Sequence, residues 1–461
     1  MSTQRRTTSP VVALAVLLVG TFMASLDVAV VNVAAPAIEA DLGTSGAALQ
    51  LIVAGYSVAY ASLLIVGARL GGDHGQRRLF LLGLAGFTEA SLLCGLAWTP
   101  EVLIGARVLQ GMAAAAMTPQ VIAVIQLAYD GAARARALAL NATIVAAGVV
   151  AGLVLGGALV SADIAGASWR PVFLVNVPIG VVLLAVGWLT LPDTRSPVVR
   201  RLDLSGAALL SLTVLLVIVP LVFGHDAGWA AWTWACLAAA VPAGLVLVAH
   251  LRRTRDPVVD LALLGRPAVS RNLLGLAATM VAYGGFLLAL TLYLQQGRGD
   301  SALECGLTFV PYAAGFAVVS LAMPAVPATV ARWLVPGGLV ACAAAYAAMG
   351  AGGWSLPMEL PLLAVAGAGF GAGFTPMMTR VMAEVPGAAA PDASGLLSTT
   401  VQLAYAVGVA TLGSVFLDGG LDALPTVVEA AGLLALLAAG LCAFEDRRAA
   451  RAATAAAQVS S

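Results

Sequence analysis

Fourteen long apolar stretches, separated by short polar connections, constrain this 461-residue chain more than any other feature. A helix of about 20 apolar residues crosses the roughly 30 Å hydrocarbon core of a bilayer. Each stretch is long enough for one crossing, so the sequence predicts an all-α polytopic membrane protein with fourteen transmembrane helices. The predicted spans are residues 11–37, 47–69, 79–98, 101–127, 137–160, 171–191, 204–223, 229–250, 272–294, 303–323, 331–350, 357–379, 394–416 and 424–444.

The scarcity of charge excludes several classes of protein. Only 10% of the residues are charged, whereas 61% are hydrophobic and the net charge is zero. A soluble domain carries about 25% charged residues, and a nucleic-acid binder shows a basic patch. The chain contains no lysine, so a phosphate-binding P-loop is excluded as well. These observations argue against a soluble enzyme, a disordered chain and a partner made of nucleic acid.

The sequence contains no motif for binding a metal or a cofactor. The three histidines, His74, His225 and His250, stand far apart, and the five cysteines are scattered singly through apolar stretches. Neither set has the spacing of a zinc or redox site. We therefore expect no catalytic residues, no metal and no cofactor, and we expect the cysteines to be buried apolar side chains.

The arginines predict how the chain lies in the membrane. If the N-terminus is cytoplasmic, 20 of the 23 arginines fall on the cytoplasmic side, Arg170 and Arg298 fall outside, and Arg107 lies within a span. Such a split follows the positive-inside rule. The sequence thus predicts a multi-pass protein of a cytoplasmic membrane with both termini cytoplasmic, and the use of arginine in place of lysine, with abundant Ala and Gly, indicates a bacterial one.

A weak internal repeat predicts the domain organisation. The fourth span contains QGMAAAAMTP (residues 110–119) and the twelfth contains AGFGAGFTP (residues 368–376), each a run of small residues ending in Thr-Pro. Two related six-helix halves are typical of secondary transporters, although shared membrane composition could also give this pattern. The predicted units are a first half (1–195), two inserted helices (196–265), a second half (266–446) and a cytoplasmic tail (447–461).

Three ionisable residues lie well inside predicted spans: Asp27, Glu89 and Arg107. At 1.5 Å per residue, they lie roughly 15, 13 and 9 Å below the outer ends of their helices, so all three could share one polar site. Buried charges in a membrane usually serve a function. We interpret Asp27 or Glu89 as a proton-binding carboxylate and Arg107 as its counter-charge. A static ion pair, with Glu89 facing a neighbouring helix, is the alternative.

Glycines form a second pattern. Gly148, Gly152 and Gly156 fall on one face of the fifth span, with Gly157 beside them. Such a face allows either close helix packing or a bend.

The loop GARLGGDHGQRR (residues 67–78) joins the second and third spans. Its residues Asp73, Gly75, Arg77 and Arg78 could form a gating latch. The simpler interpretation is a solvated, positively charged loop.

Four segments carry a resemblance to a known family. They are LDVAVVNVAAP (residues 26–36), RVLQG (107–111), SWRPVFLVNVPIG (168–180) and ASGLLSTTVQLAYAVGVATLG (393–413). In this order, they resemble the 14-helix drug/proton antiporter branch of the major facilitator superfamily. The sequence departs from the family pattern at Gly72, where the family has Asp, and at Leu153, where the antiporter motif has Pro.

The resemblance implies export of small amphipathic, drug-like or antibiotic compounds, driven by the proton motive force, by a protein that works as a monomer in membrane lipid. It also implies a mixed polar and apolar cavity, for which the candidate wall residues are Asn32, Tyr56, Gln110, Tyr283 and Gln402. Import of a metabolite, a polytopic membrane enzyme and a non-transporting sensor remain alternatives.

Overall fold

The computed structural model describes residues 10–44, 46–192, 203–224, 227–255, 257–259, 261–351, 356–385 and 390–459, and every regular element in these ranges is helical. Short 3-10 or π turns lie at Ile164–Gly166, Tyr293–Gly297, Met323–Ala325 and Gly420–Ala423. The α-helices are α1 Pro10–Leu42, α2 Gly46–His74, α3 Gln76–Gly95, α4 Pro100–Ala128, α5 Gly131–Ala162, α6 Pro171–Leu174, α7 Asn176–Thr190, α8 Leu204–Phe223, α9 Ala231–Arg253, α10 Leu261–Leu264, α11 Pro267–Leu292, α12 Ala302–Thr308, α13 Val310–Ala322, α14 Ala328–Ala351, α15 Leu356–Ala383, α16 Ala390–Gly419 and α17 Leu424–Val459.

The number of membrane spans is close to the prediction but does not equal it. Within the described residues, twelve helices are long and apolar enough to cross a bilayer. The helix α2 adds a thirteenth if its two parts, Leu51–Leu64 and Val66–His74, which meet at 51°, form one span. In α8 the apolar stretch Ser205–Leu221 is shorter than the others. The all-α, multi-pass class is confirmed, and the count of fourteen is not.

The helices pair in the same order in the two parts of the chain. Near the N-terminus, α1 packs on α5, α4 packs on α2 and α3, and α3 packs on α7. After the inserted pair, α11 packs on α16, α15 packs on α13 and α14, and α14 packs on α17. Two related six-helix halves would give this arrangement, and the boundaries of the proposed halves stay a prediction.

One close helix contact occurs in both parts. A Cβ placed on Gly111 of α4 would lie 2.3 Å from the backbone oxygen of Tyr56 in α2. A Cβ on Gly367 of α15 would lie 1.9 Å from the backbone oxygen of Tyr312 in α13. Any larger residue would push these helices apart, so Gly111 in the first Thr-Pro segment and Gly367, directly before the second, have a packing function.

The two parts are in contact at the end of the bundle where α2 joins α3 and α4 joins α5, here called the arginine-rich end. There, Gln126 of α4 donates a hydrogen bond of 2.8 Å to the backbone oxygen of Met382 in α15. An apolar cluster spans the junction, including Leu64, Ile122, Ile125 and Leu138 from the first part and Leu273, Met378, Val381 and Val385 from the second.

The inserted helices lie beside this junction. α8 packs on α9 and also contacts α2 and α16, and Ser211 donates to the backbone oxygen of Ser62 at 2.9 Å. Asp203 caps α8 by accepting the Gly206 N–H, and its carboxylate lies 2.9 Å from His250 Nε2 of α9. Burial alone would raise the pKa of Asp203, but the hydrogen bonds it receives hold that pKa below its ordinary value.

Candidate functional site

The candidate site is an ion pair between α1 and α4. Arg107 Nη1 donates to Asp27 Oδ2 at 2.5 Å, and both side chains have no solvent exposure. Arg107 Nε also donates to the backbone oxygen of Ile52 in α2 at 3.1 Å. A charged pair this deeply buried gains strong Coulomb attraction but sacrifices the hydration of both ions. The pair is therefore stable only while each charge keeps its partner.

Three neutral polar side chains complete the network. Gln110 Nε2 donates to Asp27 Oδ1 at 2.8 Å and lies 2.8 Å from Ser91 Oγ, while Gln110 Oε1 accepts from Arg107 Nη1 at 2.7 Å. Asn176 Nδ2 of α7 donates to Asp27 Oδ1 at 3.2 Å. The Asp27 carboxylate thus receives hydrogen bonds from α4 and α7, and Ser91 ties α3 to the same network.

Aromatic rings enclose the guanidinium. The Arg107 carbon Cζ lies 4.7 Å from the ring centroid of Tyr56 and 5.7 Å from that of Phe173. Such cation–π contacts favour the charged arginine. Among the described residues, Arg107 Nη2 has no hydrogen-bond partner, so its two N–H groups are not used in this conformation.

The glycine face of α5 packs against the α1 residues that precede and follow Asp27. A Cβ on Gly148 would lie 2.7 Å from Ser25 Cβ, and a Cβ on Gly152 would lie 2.5 Å from the backbone oxygen of Leu26. Gly156 approaches Val30, and Gly157 is also buried. The helix α5 runs unbroken through these glycines, so the structure shows close packing at this face.

Residues 17–409 match the sequence profile of the Major Facilitator Superfamily. The chain belongs to this superfamily. Its transporter relatives include the probable actinorhodin transporter of Streptomyces coelicolor (39% identical, covering 88% of this chain and 72% of the relative) and the cephamycin export protein CmcT of Amycolatopsis lactamdurans (35%, 88% and 85%). The multidrug resistance protein Stp of Mycobacterium tuberculosis is 32% identical, covering 86% of this chain and 74% of the relative.

Solved structures support the fold. The human organic anion transporter MFSD10 aligns with a TM-score of 0.66 at 18% identity, covering 94% of this chain and all of that protein. The proton:xylose symporter XylE aligns with a TM-score of 0.67 at 12% identity, covering 93% and 94%. The superfamily is one of transporters, and the sequence relatives are antibiotic and drug efflux proteins.

Glu89 of this transporter does not join the site, contrary to the expectation that the three ionisable residues share it. Its side chain is exposed on α3, on the helix face that carries the exposed Leu82 and Leu93. The depth of a residue along a helix does not determine which way its side chain points. Leu82 and Leu93 lie seven positions before and four positions after Glu89, so they share its face of the helix. Ser91, which lies two positions further on, is the α3 residue that faces Gln110.

The proposed cavity residues fall into separate places. Tyr56 and Gln110 are buried in the ion-pair network, whereas Tyr283 on α11 and Gln402 on α16 are half-buried in the other part of the bundle. The side chain of Asn32 lies outside the described residues. The structure therefore does not bring these five candidates together around one surface.

The predicted latch residues lie at the arginine-rich end. Asp73 is 3.9 Å from Arg69 of its own helix, and Gly75 joins α2 to α3 with a φ of 102°, which favours glycine. Arg77 donates to the backbone oxygen of Trp188 and lies over its ring, while Arg78 is exposed. These contacts tie α3 to α7, and a gating role stays a prediction.

Asn176 is the site residue that the sequence reasoning missed. It lies in the quoted segment SWRPVFLVNVPIG, as a polar residue inside an otherwise apolar span. That isolation was the available signal, because an uncharged amide in hydrocarbon needs a hydrogen-bond partner as much as a charge does.

Proposed function

We propose that this transporter exports small amphipathic, drug-like or antibiotic compounds in exchange for protons. The observation that carries the proposal is the Asp27–Arg107 pair, which is enclosed by helices of one half and has no solvent exposure. The names of the relatives, which refer to actinorhodin, cephamycin and multidrug resistance, support an antibiotic-like substrate and outward transport.

Proton binding to Asp27 would change the charge balance of the ion-pair network. Protonation of Asp27 removes the anion that compensates Arg107, and an unpaired guanidinium in a low-dielectric site is costly. The arginine must then find other acceptors or water, which favours a rearrangement of α1 against α4. The unused Arg107 Nη2 provides a donor for such a new contact. Release of the proton restores the pair and the conformation described above.

The packing of α5 offers a route from this site to the other half. α5 contacts α1 through the glycine face and contacts α12 and α13 along its length. At Leu153, where the antiporter motif has Pro, α5 lies against Gly306 of α12. A shift of α1 would therefore move a helix of the first half that packs against the second half, and alternating access requires the two halves to move relative to one another.

The arginine-rich end faces the cytoplasm of a bacterium, so that both termini are cytoplasmic, and the protein works as a monomer without a cofactor. The apolar cluster at that end then closes the cytoplasmic side in the described conformation.

Proton-driven transport in proteoliposomes tests this proposal with a matched pair of variants. Asp27→Asn and Glu89→Gln each convert one intramembrane carboxylate to its amide, but only Asp27 belongs to the buried network. Substrate added to vesicles with an imposed pH gradient should dissipate that gradient in the wild type and in Glu89→Gln, and not in Asp27→Asn. Full proton-coupled transport by Asp27→Asn would refute the assignment.

The same assay in vesicles of both orientations tests direction. Export predicts that substrate moves against its gradient only toward the side opposite the arginine-rich end, at the expense of protons entering from there. Movement of substrate and protons in the same direction would favour the importer instead.

A further inference from the structure

A cluster of aromatic rings occupies the second half of the bundle. Tyr283 of α11 stacks on Phe370 of α15 with ring centroids 5.1 Å apart, and Phe370 stacks on Phe374 at 5.4 Å. Tyr283 also lies 5.9 Å from Tyr312 of α13 and 6.1 Å from Tyr405 of α16. These five residues are here called the ring cluster. Four different helices contribute to it, and several of its rings are nearly parallel.

The ring cluster reaches the boundary between the halves. Tyr312 and Phe370 are buried, whereas Tyr283, Phe374 and Tyr405 are only half-buried. Phe374 packs against the apolar cluster of the arginine-rich end as well as against the core of the second half. Through Phe374, the ring cluster therefore reaches the junction between the halves, and a molecule carried between the halves would meet this part of it.

Polar groups without partners lie at the edge of the ring cluster. No described residue hydrogen-bonds to the hydroxyl of Tyr283 or of Tyr405, or to the side-chain amide of Gln402. Gln402 precedes Tyr405 by one helical turn, which places the two side chains on one side of α16. A ligand with oxygen atoms at its rim would provide partners for these groups.

Among the described residues, the helices that form the ring cluster place no counter-ion for a cation beside the rings. The charged residues of α11, α15 and α16 lie close to helix ends, whereas the rings on these three helices lie nearer the middle, and α13, which carries Tyr312, has no charged residue. Among the described residues of the first half, Asp27 is fully engaged by Arg107, and Glu89 faces away on α3. A permanent cation would have to give up its hydration for ring faces alone, which is unfavourable in a membrane interior.

We infer that the ring cluster is the substrate-binding surface, and that its substrates are planar, polycyclic aromatic molecules, uncharged or weakly acidic, with hydroxyl or carbonyl groups at the rim. The flat faces stack on Tyr283 and Phe374 in offset geometry, and the rim oxygens bond with Tyr405 and Gln402. This inference rests on the proposed export function and specifies its substrate class.

Binding to the purified protein in detergent, without any gradient, tests the inference separately from proton coupling. The probe is 1,4-dihydroxyanthraquinone, a neutral tricyclic quinone, and the comparison is ethidium, a tricyclic cation. We expect the quinone to bind at least ten-fold more tightly than ethidium. Equal binding of the two, or tighter binding of ethidium, would overturn the assigned substrate class.

Substitutions test whether the ring cluster is the surface that binds the quinone. Phe374→Ala and Tyr405→Ala should each weaken quinone binding at least five-fold, whereas Phe444→Ala, which removes an exposed ring from α17, should leave it unchanged. Tyr405→Phe keeps the ring and removes the hydroxyl, so it should lose less affinity than Tyr405→Ala. If Phe374→Ala and Tyr405→Ala bind like the wild type while folding normally, the ring cluster is not the binding surface.

The two proposals can fail independently. A wild type that binds the quinone through the ring cluster but never exchanges it for protons supports the substrate class and refutes the coupling. A wild type that couples ethidium efflux to protons and does not bind the quinone supports the coupling and refutes the substrate class.

Discussion

The Asp27–Arg107 pair makes a quantitative prediction about folding stability. Asp27→Asn leaves the Arg107 guanidinium buried without a counter-ion, and Arg107→Gln leaves the Asp27 carboxylate with only the amides of Gln110 and Asn176. Removing one member of a buried ion pair typically costs about 3–5 kcal/mol. Removing both charges leaves no uncompensated ion and often changes the folding stability little.

A double-mutant cycle therefore should show strong coupling. If the two single effects were independent, the double variant would lose about 6–10 kcal/mol. We expect it to lose less than that sum by at least about 3 kcal/mol, because the second substitution removes the charge that the first had left unpaired. The double variant should also lack proton coupling, since neither the carboxylate nor the guanidinium remains at the site.

Denaturant unfolding in mixed micelles, followed by tryptophan fluorescence, measures these differences. Glu89→Gln, Arg78→Gln and their double form a control cycle of two exposed charges eleven positions apart on α3, for which simple additivity is expected. If the effects of Asp27→Asn and Arg107→Gln also add, the two charges do not compensate one another in the folded protein, and the mechanism built on their separation is wrong.

Two further substitutions probe the helix contacts around the site. Gly152→Ala places a Cβ 2.5 Å from the backbone oxygen of Leu26 and should destabilise the protein by about 1–3 kcal/mol. Gly105→Ala meets no atom within 4 Å and should be neutral or stabilising by about 0.5–1 kcal/mol; equal melting shifts for the two would contradict the packing argument. Asp203→Ala removes the cap on Gly206 and should cost about 0.5–2 kcal/mol. Because the pKa of Asp203 is lowered in the folded state, this deficit should be full at neutral pH and shrink as pH falls below the ordinary value of 3.8; a deficit independent of pH down to complete protonation would exclude a charged cap.

The sequence predicted the class of fold because hydrophobicity is a local property. Each apolar stretch can be recognised as a membrane span from its own composition, and most of the predicted spans correspond to long helices. The number of membrane spans was predicted less well, because local composition shows neither how short the apolar stretch of α8 is nor that α2 is bent. The quoted motifs also pointed correctly to the superfamily.

The sequence by itself also indicated Asp27 and Arg107, because a charge in an apolar span stands out without any knowledge of its neighbours. Only the tertiary structure decided which polar groups meet them. Glu89 and Ser91 differ by two positions, yet their directions around α3 place one on the exposed face and the other against Gln110. The contacts of Asn176 and of the ring cluster depend on how separate helices rotate and pack, and a linear pattern does not encode that rotation for any single helix.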